Sequence, residues 1–251
     1  MEIVAGIRRA IEVTMAAFDR VLVIETSGRV GQVALAAGNV VVAEARLGEG
    51  HRRASDLALV VDRLLKGQGW TARELTAVVV GLGPGSYTGL RVGLASAKAL
   101  AYTTGCAFFG VETFATVAMR SPVAQVSVIA DALQGKLFHR DYRRTDSGAL
   151  EPAGRLEIMV ADDWIASLRP GVLVTGPAGG LFEGRLPAGS RLAANDERDP
   201  RPIDLLNVAM ESPWAVTTDM WTAEPYYLRG SSAEEKAALS ASAPGTAAAG
   251  R

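Results

Sequence analysis

The stretch Gly81-Leu82-Gly83-Pro84-Gly85-Ser86-Tyr87-Thr88-Gly89-Leu90-Arg91-Val92-Gly93 is where residue types and spacing come nearest to chemistry. It falls between an apolar strand pattern and a helical pattern, where backbone N–H groups at a positive helix end can cradle an anion. No GK[ST] follows the glycines, so it is not a P-loop. Ser86 and Thr88 occupy the places where G-x-G-x-x-G needs its third glycine. Nor is Ser86 a nucleophile-elbow serine, because Thr88 stands two residues after it and no triad partners are evident. A tight structural turn is the first reading and phosphate binding the second. For the second, the candidate nucleotide loop is Glu25, Ser27, Gly83, Gly85 and Ser86.

The remaining inventory is thin. Glu25 ends an apolar run and precedes Thr26-Ser27-Gly28, where a carboxylate could face a nucleotide or metal. His51 lies in Glu49-Gly50-His51-Arg52-Arg53 and reads as a solvated loop histidine, and His139 reads as structural in a strand. Asp162-Asp163 suit the start of a helix, where carboxylates favour the dipole. Two histidines far apart exclude a paired-histidine helix motif, and one cysteine, Cys106, excludes an intrachain disulfide and a cysteine-cluster zinc site. No metal ligand set and no catalytic residue is therefore named. With Lys+Arg 26 against Asp+Glu 27, the chain lacks the basic excess usual for direct nucleic-acid binding.

These residues need a frame to hold them. The 251 residues fit one large domain or two lobes. Val21 to Thr26 is a β-branched apolar run, and further strands over 31–36 and 40–45, with Ala37-Gly38-Asn39 between them, predict a three-stranded meander. A helix follows over 55–66, a capping box at Thr71 and Glu74, a strand over 77–80, a second helix over 88–103 and a strand over 107–111. The second half repeats this texture more faintly: helix 113–119, strands 126–130 and 136–142, helix 162–168, strand 172–175 and helix 203–211. This is an α/β pattern in two related halves. No apolar run approaches the roughly 20 residues of a membrane span. The cytoplasm is the expected compartment.

Two helix patterns stand out. Leu57, Val60, Val61, Leu64 and Leu65 form one apolar stripe on the first helix. Gly89, Gly93, Ala97 and Ala101 recur every four residues on the second. A glycine inside a helix costs about 1 kcal/mol against alanine, so that ladder needs a packing reason. Close packing inside the chain's own lobe and docking of a partner helix stand level on pattern alone.

VLVIETS with its meander, then GLGPGSYTGLRVGLASAKALAY over 81–102, resembles the TsaB (YeaZ) family. Gly110-Val111-Glu112-Thr113 and Ala223-Glu224-Pro225-Tyr226-Tyr227-Leu228-Arg229 add to the resemblance. It implies an actin-like, two-lobed fold of the sugar kinase/Hsp70 class, with mixed sheets flanked by helices. It implies a non-catalytic subunit that activates TsaD in threonylcarbamoylation of adenosine in tRNA, with TsaE as a third member and tRNA reached only through the complex. The first two helices would form the TsaD-binding face and the homodimer face when alone, which assigns Leu57, Val60, Val61, Leu64, Gly89, Leu90, Gly93, Ala97, Leu100 and Ala101 to the interface. No tightly bound cofactor is expected, with nucleotide at the partner interface as an option. A small-molecule kinase or ATPase of the same fold is the alternative. The expected layout is an extension over 1–20, an N-terminal lobe over 21–111, a C-terminal lobe over 112–229 and an Ala/Ser-rich disordered tail over 230–251. The extension reads either as an added amphipathic helix or as residues ahead of a start at Met15. Departures include Asp131-Ala132-Leu133-Gln134-Gly135-Lys136, which keeps the Asp and Gly of a family turn but lacks its Arg and Glu, and Glu25, where Asp is commoner.

Overall fold

A computed structural model describes residues 18–48 and 53–228; the tail over 230–251, His51 and nearly all of the 1–20 extension lie outside the described residues. The exceptions are the last residues of that extension. Phe18 is buried against Phe109, and Arg20 opens the first strand, so both belong to the first lobe.

The first sheet starts with the meander β1 (Arg20–Glu25), β2 (Gln32–Ala37) and β3 (Val40–Arg46). After α1 (Arg53–Gly67), β4 (Ala77–Gly81) joins β1 in parallel; after α2 (Tyr87–Thr104), β5 (Ala107–Val111) joins β4 in parallel. The helix α3 (Thr113–Met119) follows. β1 and β4 are buried on both faces, which is why VLVIE and AVVVG read as unbroken apolar runs rather than alternating ones.

The second half repeats the plan. β6 (Gln125–Asp131) and β7 (Lys136–Arg144) form a hairpin, β8 (Leu150–Pro152) and β9 (Glu157–Val160) share the free edge of β7, and α4 (Ala161–Ser167) leads to β10 (Leu173–Thr175), parallel to β6. β11 (Arg191–Leu192) pairs beyond β10 in parallel. Both sheets are a meander with parallel strands added beyond its first strand: β3-β2-β1-β4-β5 in the first half and β8-β7-β6-β10-β11 in the second, where β9 also pairs with β7. That repeat is the two-lobed, actin-like architecture with mixed sheets flanked by helices.

Three apolar clusters show the layering. One lies between α1/α2 and the outer face of the first sheet, one between α4 and the outer face of the second, and the largest between the two sheets. The middle layer is made by α3 and by α5 (Pro202–Glu211), and the two helices are exchanged. α3 closes the first half in sequence yet packs on β6, whereas α5 closes the second half yet packs on β1, β4 and β5. Asp204 of α5 pairs with Arg120 at the end of α3 at 3.6 Å, both largely buried. After α5 the chain stays with the first sheet, where β12 (Val216–Thr217) pairs with β5. The expected C-terminal lobe over 112–229 is therefore corrected: residues 202–228 return to the first lobe, because the inner face of the first sheet needs α5 to cover it.

Candidate functional site

β1, β4 and β5 are parallel, so their carboxyl ends open on one edge, the place where open α/β sheets receive ligands. There the turn after β1 and the loop before α2 face the β6–β7 hairpin and the segment after β10 across the lobes, enclosing a cleft of about 750 Å³.

The Gly-rich loop is held by its own donors. Gly83 N–H donates to Thr113 Oγ1 at 3.1 Å and Ser86 N–H to the Ser27 carbonyl at 2.7 Å. Ser86 Oγ caps α2 by accepting from Gly89 N–H at 3.3 Å. The amides that an anion would use at Gly83 and Ser86 are thus engaged inside the lobe, as a structural turn requires. Ser27, Gly85 and Ser86 line the cleft; Gly83 lies behind it.

Glu25 does not face the cleft, and the expectation that it would meet a nucleotide or metal is corrected. It is 1% exposed, with Ser27 N–H donating to Oε1 at 2.6 Å and Thr113 Oγ1 donating to Oε2 at 3.2 Å. The carboxylate fills the space beside Gly81 and ties β1 to the start of α3. Burial pushes its pKa above the usual glutamate value, and the hydrogen bonds from Ser27 and Thr113 oppose that only in part. The folded chain then keeps this proton to higher pH than the unfolded chain does. The contribution to stability is complete below the unfolded pKa and is lost as pH rises through the folded one. Glu25→Gln is expected to raise Tm above about pH 5 and to flatten its decline toward alkaline pH, read by thermal denaturation across pH. A Tm lowered equally at every pH would contradict this account.

The ten residues assigned to a partner interface divide into two sets. Leu57, Val61, Leu90, Ala97 and Ala101 are buried, and Gly89 and Gly93 with them. Leu57 and Val61 pack with Leu22, Ile24 and Leu35 of the first sheet. An added methyl at Gly89 would overlap the Thr26 carbonyl oxygen, and one at Gly93 the Thr26 hydroxyl. The ladder therefore faces inward and lets α2 lie close on β1. Docking through those seven residues is corrected to packing inside the lobe. Val60, Leu64 and Leu100 remain half-buried.

What α2 shows to solvent is a second small-residue face: Ala95 and Ala99 are exposed beside half-buried Val92 and Ser96, and Tyr102 is 69% exposed at its end. The signal for it was in the sequence, since α2 carries only Arg91 and Lys98 as charged residues, sparse for a surface helix. The segment 218–228 runs beside the same helix. Trp221 meets Tyr102 edge-on at 5.9 Å, and Tyr227 accepts from Arg91 Nε at 3.0 Å and packs on Tyr87.

The other sequence candidates are structural. His139 Nε2 bonds Asp141 Oδ1 at 2.9 Å beneath Trp164, and Asp162 and Asp163 sit in the first turn of α4. Cys106 is half-buried, and burial raises its pKa. Among the described residues no three His, Cys, Asp or Glu side chains come together as metal ligands, and no helix is long and apolar enough to cross a membrane.

Glu112 is a hub that sequence reading did not single out as a site. It is buried at the junction of the lobes, and both Arg140 Nη1 and Tyr142 OH of β7 donate to its carboxylate, while its N–H donates to the Ala215 carbonyl at 2.9 Å.

Comparison with known proteins adds relatives. Residues 49–161 match the family described as TsaD, tRNA N6-adenosine threonylcarbamoyltransferase. The chain is 30% identical over 228 residues to the tRNA threonylcarbamoyladenosine biosynthesis protein TsaB of Bacillus subtilis, covering 86% of this chain and 96% of that protein. It is 30% identical over 133 residues to TsaB of Escherichia coli, where the match spans 51% of this chain and 57% of that protein. The structure of YeaZ from Pseudomonas aeruginosa superposes with a TM-score of 0.67 at 21% identity, covering 84% of this chain and all of that one.

Proposed function

We propose that this chain, which belongs to the TsaB (YeaZ) family, serves the biosynthesis of threonylcarbamoyladenosine in tRNA as a non-catalytic subunit that docks onto TsaD. Docking uses the outward face of α1 and α2, not the inward ladder. The observation that supports it is the composition of that face. Ala95 and Ala99, flanked by Val92 and Ser96, leave room for a second helix to approach closely, and Leu59 on α1 and Tyr102 on α2 stand 65% and 69% exposed. Exposed apolar side chains grouped on neighbouring helices mark interaction surfaces. In this reading the protein is cytoplasmic, pairs with itself through the same face when TsaD is missing, meets TsaE and tRNA only within the complex, and needs no tightly bound cofactor.

The test is the double substitution Ala95→Trp with Ala99→Trp. Both side chains are exposed, so folding stability is expected to stay within about 0.5 kcal/mol of the parent. Binding to the TsaD of the same cell is expected to weaken by about 100-fold, since two bulky rings would hold the helices apart. Unchanged affinity in a folded variant would place the docking face elsewhere.

A further inference from the structure

The cleft between the lobes is in the position where this architecture would hold a nucleotide, yet its walls are wrong for one. Among the described residues lining it, the charged ones are Arg29 and Asp131, one of each sign. A polyphosphate would need more cations than that, or a metal held by carboxylates. Glu25 is sealed beneath the floor, and Asp131 Oδ1 is turned back to accept from Leu133 N–H at 2.7 Å. Pro84, Phe138, Pro177 and Tyr227 give the wall apolar and aromatic surface, and its uncharged polar side chains include Ser27, Ser86, Thr88 and Thr113.

The β6–β7 hairpin adds a second observation. Leu133 has φ of 64° and Gln134 φ of 55°, the left-handed region that large side chains avoid. The turn nevertheless keeps a leucine there, 60% exposed on the cleft, and Leu181 stands 58% exposed on the same lobe. Asn or Gly would fit that backbone better, and an exposed leucine brings the free protein nothing. Backbone strain that holds an apolar side chain at a cavity mouth is a feature of binding sites.

We propose that this cleft binds a neutral, predominantly apolar small molecule, gripped by Leu133 and Leu181 against the aromatic and proline walls. A cavity of about 750 Å³ is within the range of small-molecule sites. Tyr87, Thr88 and Leu90 at the start of α2 line the cleft, but none of Leu59, Val92, Ala95, Ser96, Ala99 and Tyr102 of the docking face does.

Nile red, a neutral apolar dye, is the probe, titrated against the full chain by fluorescence, with magnesium-ATP titrated separately by calorimetry. Saturable dye binding at one site is expected, with no ATP binding and no displacement of dye by ATP. Leu133→Asn is expected to weaken the dye by about tenfold while Tm stays level or rises, because asparagine relieves the turn but removes the apolar contact. Leu181→Asn, with no strain to relieve, is expected to weaken the dye to a similar degree with Tm unchanged. Dye affinity untouched by both variants means that the dye sits elsewhere and overturns the proposal. Tight magnesium-ATP binding that displaces the dye also overturns it, in favour of a nucleotide site.

Discussion

Gly89→Ala is expected to destabilise the fold by about 3 kcal/mol or more, although alanine is the better helix former. The new methyl would overlap the backbone carbonyl of Thr26, which cannot rotate away as a side-chain tip can. Thr26 follows β1, and the next residue's carbonyl accepts from Ser86 N–H, so α2 cannot back off without breaking that bond. Gly67→Ala is the matched control: it lies at the end of α1 with open space around its Cα and is expected to be neutral or mildly stabilising. Chemical denaturation of both variants decides the matter. A Gly89→Ala chain as stable as the parent would mean that α2 does not lie where the ladder places it.

Glu112→Ala is expected to cost about 3–5 kcal/mol, a fall in Tm of roughly 10 °C for a chain of this size. The carboxylate receives Arg140 and Tyr142 from the second sheet, while Glu112 itself directly follows β5 of the first. Its removal leaves the Tyr142 hydroxyl buried with its acceptor gone and strips the Arg140 guanidinium of its counter-charge. Glu112→Gln keeps an acceptor for Tyr142 and is expected to lose less. Burial raises the Glu112 pKa, with Tyr142 and Arg140 opposing it, so this group too favours the folded state more at acid than at alkaline pH. A Glu112→Ala variant within about 1 kcal/mol of the parent would show that the lobes are held together without it.

Much of the frame was legible because apolar period carries it. The run at 21–26, the meander and the stripe at Leu57, Val61 and Leu65 all appear as elements close to where spacing put them. The ladder was legible as packing but not as direction. α2 has small residues on both faces, and four-residue spacing cannot say which face meets the sheet. Only the collision of Gly89 and Gly93 with Thr26 does so. Glu25 misled for a related reason: a carboxylate at a strand end looks the same whether it faces a ligand or bonds Ser27 and Thr113 beneath the floor. The short strands β8, β9, β11 and β12 were missed because they exist through pairing with a distant edge rather than through their own pattern. The cleft's apolar character was hidden as well, since its walls come from segments scattered from Ser27 to Leu228.

The exchange of α3 and α5 between the halves has a cost during synthesis. When the ribosome has made the chain only as far as Arg120, the first sheet still shows Val21, Val23 and Val79 to water, because the helix that will cover them begins at Pro202. Neither half owns its own lid. The nascent N-terminal portion must wait, greasy side out, for nearly the whole message to be read, and two polypeptides cut between the halves would be fit to fold only in each other's company.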